Sequence, residues 1–258
     1  MNMKMRITHI SDTHNKHNQL NGRLPGGDLL IHSGDITSLG RKDEVIRFVK
    51  WFNGIDNYTH KIFIAGNHDM TFDREQLLRD KLAHFEGRTD YDTDCAEGKP
   101  EWLNLLLEVG LNPNVFYLEN NFIEIDQIKI WGSPISPSFG YGWAFNKDRG
   151  HEINKVWDGI PNDTDIVITH SPIYGYCDRT YRTNESVGCN ELYYRLNEVS
   201  PHLHFAGHIH EGYGYKETHW GYTFNGSTCD LTYEPINNPI TFDYNFTTRE
   251  IDFIDDDN

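Results

Sequence analysis

Five short polar blocks, each placed directly after an apolar run, constrain the fold of this chain more than any other feature. Together they contain seven side chains that could bind metal ions. These are Asp12, His14, Asp35, Asn67, His170, His208 and His210. Polar residues at the ends of apolar strands are typical of α/β folds, which place their sites there. The mixture of hard oxygens and imidazoles suits a pair of divalent first-row metals better than one structural zinc.

The blocks differ in how specific they are. Asp12-Thr13-His14 and Gly34-Asp35 are ambiguous alone, because an Asp before a loop is often only a turn or capping residue. Gly66-Asn67-His68-Asp69 is sharper, since glycine permits unusual backbone angles and three polar side chains follow a strand. In Gly207-His208-Ile209-His210, alternate imidazoles of an extended segment point the same way. Because the five blocks support one another, we interpret them as one metal site.

The pattern around the blocks predicts an alternation of strands and helices. Strands are predicted at 5–11, 28–33, 61–65, 115–118, 122–131, 165–169 and 203–206, with a turn near 120–121, and short strands fill 213–253. Helices are predicted at 43–53, 76–84 and 102–109, the last closed by Gly110. Residues 86–100 are predicted to form a surface loop. We therefore expect two packed sheets with helices outside, in a single domain over residues 1–258.

The charge of the chain excludes one class of partner. The net charge of −16 does not suit a protein that grips long nucleic acid by its phosphates. No apolar run has membrane-spanning length, and the first residues lack a signal-peptide core. The four cysteines show no zinc-knuckle or redox spacing. We expect a cytoplasmic protein without a membrane partner; the sequence does not specify its oligomeric state.

The ordered motifs D-x-H, G-D, G-N-H-D, H and G-H-x-H resemble those of the calcineurin-like metallophosphoesterase superfamily, from residue 5 to about 212. Longer stretches are similar to its metallophosphoesterase-domain-containing group, which includes brain-expressed phosphodiesterases. They lie at residues 12–14, 34–40, 64–68, 143–146, 187–189, 207–214 and 225–229. The resemblance implies a four-layer αββα sandwich of two mixed β-sheets flanked by helices.

The resemblance also assigns roles. The first metal would be held by Asp12, His14 and His210, and the second by Asn67, His170 and His208, with Asp35 bridging both. His68 would be the catalytic residue, a general acid or transition-state donor near the leaving-group oxygen. A hydroxide held between the metals would attack phosphorus in line. The expected cofactors are two divalent ions, Mn²⁺ first, with Fe, Co²⁺, Ni²⁺ or Zn²⁺ as alternatives.

The chain departs from the protein phosphatases of the superfamily at two positions. Ser38 and Leu39 stand where those enzymes carry an Asp that orients the catalytic histidine and an Arg that grips a dianionic phosphate. We therefore expect a phosphodiesterase that acts on a small substrate such as a cyclic nucleotide. The orienting partner of His68 stays open at this stage, and the better interpretation of Asp69 is a turn residue or an outer partner of the site.

Two alternatives remain. A phosphomonoesterase or protein phosphatase would need another cation, such as Arg149 or Arg179, in place of the missing Arg. A nucleotide-binding scaffold with weak activity would be expected to have lost ligands. In the leading interpretation, the second substituent of the diester packs on aromatic side chains near Trp143 and Phe145.

Overall fold

The computed structural model describes residues 3–73, 106 and 108–254. Its strands are β1 (Lys4–Ile10), β2 (Gly27–Ser33), β3 (Tyr58–Ile64), β4 (Val115–Tyr117), β5 (Asn121–Ile125), β6 (Ile128–Ser133), β7 (Ser136–Pro137), β8 (Asn146–Lys147), β9 (Ile166–Thr169), β10 (Leu203–Ala206), β11 (Gly214–Glu217), β12 (Tyr222–Asn225), β13 (Ile240–Asn245) and β14 (Ile251–Phe253). Helices of two or more turns are α1 (Lys42–Gly54), α2 (His151–Trp157) and α3 (Asn190–Val199).

The longer strands form two mixed sheets of six. The first has the order β14-β13-β1-β2-β3-β4, in which β1 to β4 are parallel and β13 runs antiparallel to both its neighbours. The second has the order β11-β12-β10-β9-β6-β5, with antiparallel pairs only at its two edges. Strands β7 and β8 pair separately.

One hydrophobic cluster lies between the two sheets. Phe242 of β13 packs against Phe224 of β12 and Phe205 of β10, with ring centroids 4.9 and 6.3 Å apart. Along β2, Leu29 and Ile31 belong to this inner cluster. Because side chains alternate along a strand, the residues between them face the other way. The sheets are therefore joined through their facing sides.

Helices cover the outer faces. Phe48 and Phe52 of α1 contact Phe63 on the outside of the first sheet. On the second sheet, Trp131 of β6 contacts Trp157 of α2, with ring centroids 6.2 Å apart. The predicted four-layer sandwich of two mixed sheets with helices outside is thus confirmed.

The prediction of one strand over 122–131 is wrong. Residues Asp126 and Gln127 have positive φ of 50° and 68° and form a tight turn between β5 and β6. Apolar residues alternate on both sides of the turn, so the pattern alone did not reveal it. The predicted helix at 76–84 and loop at 86–100 lie outside the described residues.

The end of the third predicted helix is described in part. Leu106, Glu108 and Val109 are helical, and the N–H of Gly110 donates to the carbonyl of Leu106 at 2.8 Å. Gly110 has φ +73°, so it ends the helix in the left-handed conformation that was predicted for it. Within the described ranges, no helix is long and apolar enough to cross a membrane.

Candidate metal centre

The predicted ligand blocks lie together where parallel strands end. Strands β1, β2 and β3 of the first sheet and β9 and β10 of the second each lead into one block. The first residues after each strand form the loops that carry the ligands. All seven predicted ligands are buried or half-buried. The fold thus brings residues from 12 to 210 into one region.

One group consists of Asp12, His14 and His210, whose ligand atoms lie within 4.8 Å of one another. His14 Nε2 is 3.2 Å from His210 Nε2, which is 3.5 Å from Asp12 Oδ1. Asp12 and His14 both have positive φ, of 50° and 41°, in the loop after β1. This group is the set predicted for the first metal.

Asp35 lies between this group and a second. Its Oδ2 is 3.8 Å from His14 Nε2, and its Oδ1 is 3.4 Å from His170 Nε2. Asn67 Oδ1 is 2.9 Å from the same His170 nitrogen. A carboxylate shared by two ions needs one oxygen near each ligand group, and Asp35 has that placement.

His208 is placed differently. Its ring packs 4.9 Å from the ring of His170 and lines the same cavity. It is absent from the three carboxylate–imidazole groups that the described residues form. Its role as a ligand of the second metal stays a prediction.

Hydrogen bonds fix which nitrogen faces the centre in three of the predicted histidine ligands. Nδ1 of His14, His170 and His210 lies 3.2, 3.0 and 2.8 Å from a backbone carbonyl oxygen. A carbonyl only accepts, so each Nδ1 donates, and in the neutral rings each Nε2 presents a lone pair to the centre. Lone pairs of two imidazoles 3.2 Å apart repel each other unless a cation or a proton lies between them. The donor set therefore fits divalent ions.

The carboxylates at the centre attract positive charge. Burial opposes their ionisation, yet His210 and His170 hold the pKa of Asp12 and Asp35, respectively, below its ordinary value. Burial alone would lower the pKa of both histidines, but Asp12 raises the pKa of His210 to about 9 and Asp35 raises that of His170 to about 9. Metal ions must displace these protons, so metal affinity falls as the pH is lowered.

His68 is oriented by the main chain. Its Nδ1 donates to the carbonyl oxygen of Ser38 at 2.7 Å, and its backbone N–H donates to Asp35 Oδ1 at 2.8 Å. The ring nitrogen Nε2 is 4.0 Å from Asp35 Oδ2. The backbone of Ser38 thus orients the ring, although its side chain is not the Asp of the protein phosphatases. By distance alone, His68 could also join His14 and Asp35 around a metal ion.

The buried carboxylate of Asp69 holds two loops of the site together by hydrogen bonds. Its carboxylate accepts hydrogen bonds from the backbone N–H groups of Gly66 and Thr37 at 2.8 and 2.9 Å and from the Thr37 hydroxyl at 2.6 Å. These bonds tie the loop after β3 to the loop after β2. Burial, assisted by the charge of Asp35, raises the pKa of Asp69 to about 7. Asp69 is therefore an outer partner of the site, as the sequence suggested.

Two glycines leave room for ligands of other blocks. A Cβ added at Gly66 would lie 2.3 Å from Asp35 Oδ1, and one at Gly207 would lie 2.1 Å from Asp12 Oδ2. Real Cβ atoms do not approach so closely. Each glycine is thus required by the ligand of a different loop.

Ser227 supports Asp12 from the loop after β12. Its hydroxyl lies 2.9 Å from Asp12 Oδ2 and 2.8 Å from Asn225 Oδ1. Asn225 in turn donates to the carbonyl oxygens of Gly207 and Ile209 at 3.2 and 2.8 Å. The Asn225-Gly226-Ser227 segment therefore connects Asp12 with the loop that carries His208 and His210. In the sequence, residues 225–229 stood out only as part of the resemblance.

We expect Ser227→Ala to weaken metal binding by about 10–100-fold, the usual size of an outer-partner effect. The loss of the hydroxyl leaves Asp12 with one fewer donor to fix its orientation. The dissociation constant is measured by titrating metal-stripped protein. Ser227→Thr keeps the hydroxyl and serves as the control. Equal affinities of the alanine variant and the wild type would contradict this role.

A cavity of about 220 Å³ opens onto the centre. Its floor is formed by Asp35, Asn67, His68, His208 and His210, and its walls by Phe139, Trp143, Glu211, Leu231 and Tyr233. None of these lining residues is a lysine or an arginine. Trp143 contacts the ring of His68 at a centroid distance of 4.5 Å.

Of the two positions near which the second substituent was predicted to pack, Trp143 lines the cavity and Phe145 does not. Phe145 is only 5% exposed and packs within a buried hydrophobic cluster. Phe139 takes that place, on the loop between β7 and β8. Sequence reasoning also missed Leu231 and Tyr233, which follow no motif and reach the site only through the tertiary fold.

Two facing mixed sheets, with carboxylates, an amide and imidazoles converging where the parallel strands end, define a metal-dependent hydrolase of the α/β class. The chain belongs to the calcineurin-like phosphoesterase family, whose model matches residues 5–212. That family depends on a dinuclear metal centre. The chain is accordingly a phosphoesterase, and the resemblance inferred from its motifs is confirmed.

Curated relatives extend the match over most of the chain. Metallophosphoesterase domain-containing protein 1 of Homo sapiens is 38% identical over 242 residues, which cover 92% of this chain and 70% of the relative. UPF0046 protein K07C11.7 of Caenorhabditis elegans is 30% identical over 238 residues, covering 92% and 74%.

Solved structures show the same fold at low identity. Phosphopantetheinyl hydrolase from Mycobacterium tuberculosis aligns with a TM-score of 0.58 and 13% identity, over 97% of this chain and 96% of that one. TT1561 of Thermus thermophilus aligns with a TM-score of 0.57 and 11% identity, over 98% and 99%. At these identities the likeness concerns the fold alone.

Proposed function

We propose that this phosphoesterase hydrolyses a small phosphodiester, such as a cyclic nucleotide, and prefers diesters to monoesters. The observation that carries the proposal is the part of the cavity lining that the structure describes, which holds no lysine or arginine and includes the acidic Glu211. A monoester brings about two negative charges near neutral pH, and a bidentate Arg is a strong way to hold them. A diester brings one negative charge, so it needs fewer positive groups from the protein.

Arg149 and Arg179, the two arginines considered as replacements for the missing guanidinium, are engaged elsewhere. Arg149 donates to the carbonyl oxygens of Val187 and Gly188 at 2.9 and 3.1 Å. Arg179 lies 3.3 Å from Asn184 Oδ1. Neither lines the cavity. This arrangement counts against the phosphomonoesterase alternative.

The metals would be held by the two ligand groups, with Asp35 shared between them. When bound, two divalent ions supply a nucleophile at neutral pH and neutralise charge on the phosphoryl oxygens. We propose Mn²⁺ as the first candidate, with Fe, Co²⁺, Ni²⁺ and Zn²⁺ as alternatives, because this donor mixture accepts all of them. The completeness of the predicted ligand set favours an enzyme over a scaffold.

His68 has the placement of a proton donor. Its Nδ1 is occupied by the Ser38 carbonyl, so its Nε2 is the atom that can give a proton to the leaving oxygen. We propose a small phosphoester as the partner. The net charge of −16 does not suit a protein that binds long nucleic acid through its phosphates.

We expect kcat/KM for bis(4-nitrophenyl) phosphate to exceed that for 4-nitrophenyl phosphate by about tenfold or more. A hydrogen bond to a charged group is worth roughly 1.5–3 kcal/mol, and the described cavity lining offers a monoester no guanidinium to make it. Both substrates are measured with the same metal at neutral pH, and a cyclic nucleotide is tested beside them. A clear preference for the monoester would contradict the proposed phosphodiesterase function.

A further inference from the structure

Three exposed apolar side chains stand in the walls of the cavity above the predicted metal ligands. Phe139, Leu231 and Tyr233 are 51%, 54% and 44% exposed. Single exposed apolar residues are common, but a cluster that rims a functional cavity marks a binding surface. The walls are therefore candidates for recognising the part of the substrate that is not phosphate.

Tyr233 is held in an unfavourable backbone conformation. Its φ is +61°, a region that bulky residues rarely adopt. The turn around it is fixed by Asp230, whose Oδ1 accepts hydrogen bonds from the backbone N–H groups of Thr232 and Glu234 at 2.8 and 2.9 Å. Such strain persists where the surroundings enforce it, and it concentrates at ligand sites.

The same turn is joined to the metal centre. The carbonyl oxygen of Asp230 accepts the Nδ1 hydrogen of His210 at 2.8 Å. The Tyr233 ring stands edge-on to the rings of His14 and His210, with centroid distances of 4.8 and 5.4 Å. The turn that orients a predicted metal ligand therefore also fixes the position of an exposed aromatic ring.

The Tyr233 ring lies nearer the predicted ligands His14 and His210 than the proton donor His68, which it also meets edge-on. Its ring is 6.1 Å from that of His68, farther than from either predicted ligand, whereas Trp143 contacts His68 at 4.5 Å. The leaving group must face His68 to receive its proton. The ring of Tyr233 is thus nearer the other substituent of a diester.

We propose that Tyr233 determines specificity by stacking on a planar aromatic group, such as a nucleobase or an aryl ring, in the non-leaving substituent. The inference rests on the proposed phosphodiesterase function. Stacking of a base on an aromatic side chain is sequence-tolerant and sizeable, so one ring suffices to favour planar substituents. Leu231 beside it adds apolar surface to the same wall.

The test uses two diesters with the same leaving group. Phenyl 4-nitrophenyl phosphate and methyl 4-nitrophenyl phosphate both release nitrophenolate and differ only in the non-leaving substituent. We expect the wild type to favour the phenyl ester by about tenfold in kcat/KM, mainly through KM, from the usual strength of stacking. Tyr233→Asn should reduce this ratio towards one, because asparagine tolerates positive φ but offers no ring.

Controls separate stacking from other roles. Tyr233→Phe should keep the preference, since only the hydroxyl is lost, and Tyr194→Leu, at an exposed tyrosine of α3, should change nothing. Metal content should be the same in all variants, and the loss in Tyr233→Asn should fall on the phenyl ester far more than on the methyl ester. If Tyr233→Asn lost methyl-ester turnover and metal as severely as phenyl-ester turnover, the residue would be structural and the proposal overturned.

The outcomes also distinguish this inference from the proposed function. A wild type that prefers diesters to monoesters but treats the phenyl and methyl esters alike overturns the role of Tyr233 and leaves the function standing. A wild type that prefers the monoester overturns both. A phenyl preference that survives in Tyr233→Asn overturns the role of Tyr233 alone.

Discussion

Replacing Asp35 with alanine is expected to remove most of the bound metal and to lower turnover by more than ~10³-fold. Asp35 places one oxygen 3.8 Å from His14 Nε2 and the other 3.4 Å from His170 Nε2, so both ligand groups lose a charged partner at once. Metal ions contribute several kcal/mol to such reactions, and each ~1.4 kcal/mol is a factor of ten. Elemental analysis gives the metal content, and hydrolysis of bis(4-nitrophenyl) phosphate gives the rate.

Two variants make this result interpretable. Asp35→Asn keeps the size of the side chain and an acceptor for the His68 N–H, but not the charge, so it separates electrostatics from packing. Asp43→Ala removes an exposed carboxylate of α1 and should change neither quantity. Two tightly held metals and normal turnover in Asp35→Ala would show that Asp35 does not bridge the ions.

His68→Ala is expected to keep both metals and to slow turnover by about 10²–10⁴-fold, the usual contribution of a general acid. The loss should be smaller for nitrophenolate esters, because a good leaving group needs less protonation. Metal content is decisive here, since His68 also lies close enough to His14 and Asp35 to serve as a ligand. His151→Ala, at an exposed histidine that starts α2, is the matched control. Loss of a metal from His68→Ala would show that His68 is a metal ligand and not the proton donor.

The convergence of the ligand blocks could be predicted from the sequence better than the surroundings of the candidate site. The ligand blocks are local, and each follows an apolar run whose period predicts a strand, so their convergence follows from the parallel order of the strands. The hairpin at Asp126-Gln127 was missed because apolar residues alternate on both sides of it. The strand ends of β1, β2 and β3 were predicted to within a few residues.

Features that depend on the path of the main chain could not be predicted. The partner of His68 is a carbonyl oxygen, and every residue has one, so the identity of Ser38 carries no signal. Tyr233 reaches the centre because a turn braced by Asp230 forces an unusual φ, which no spacing rule anticipates. The ligand role of His208 stays a prediction, because its ring lines the cavity but belongs to none of the carboxylate–imidazole groups among the described residues.

The glycines at Gly66 and Gly207 have a consequence for how such an enzyme can change over generations. Each is required by a ligand from another loop, so a substitution at either position displaces a side chain far away in the sequence. A sequence change in one loop is therefore constrained by the ligands of neighbouring loops. The loops that form the floor of the cavity should consequently evolve together. Leu231 and Phe139 in the cavity walls are exposed, and no ligand of another loop requires their side chains. New substrates should be reachable by changing the rim alone, which makes these positions the natural targets for a directed-evolution library.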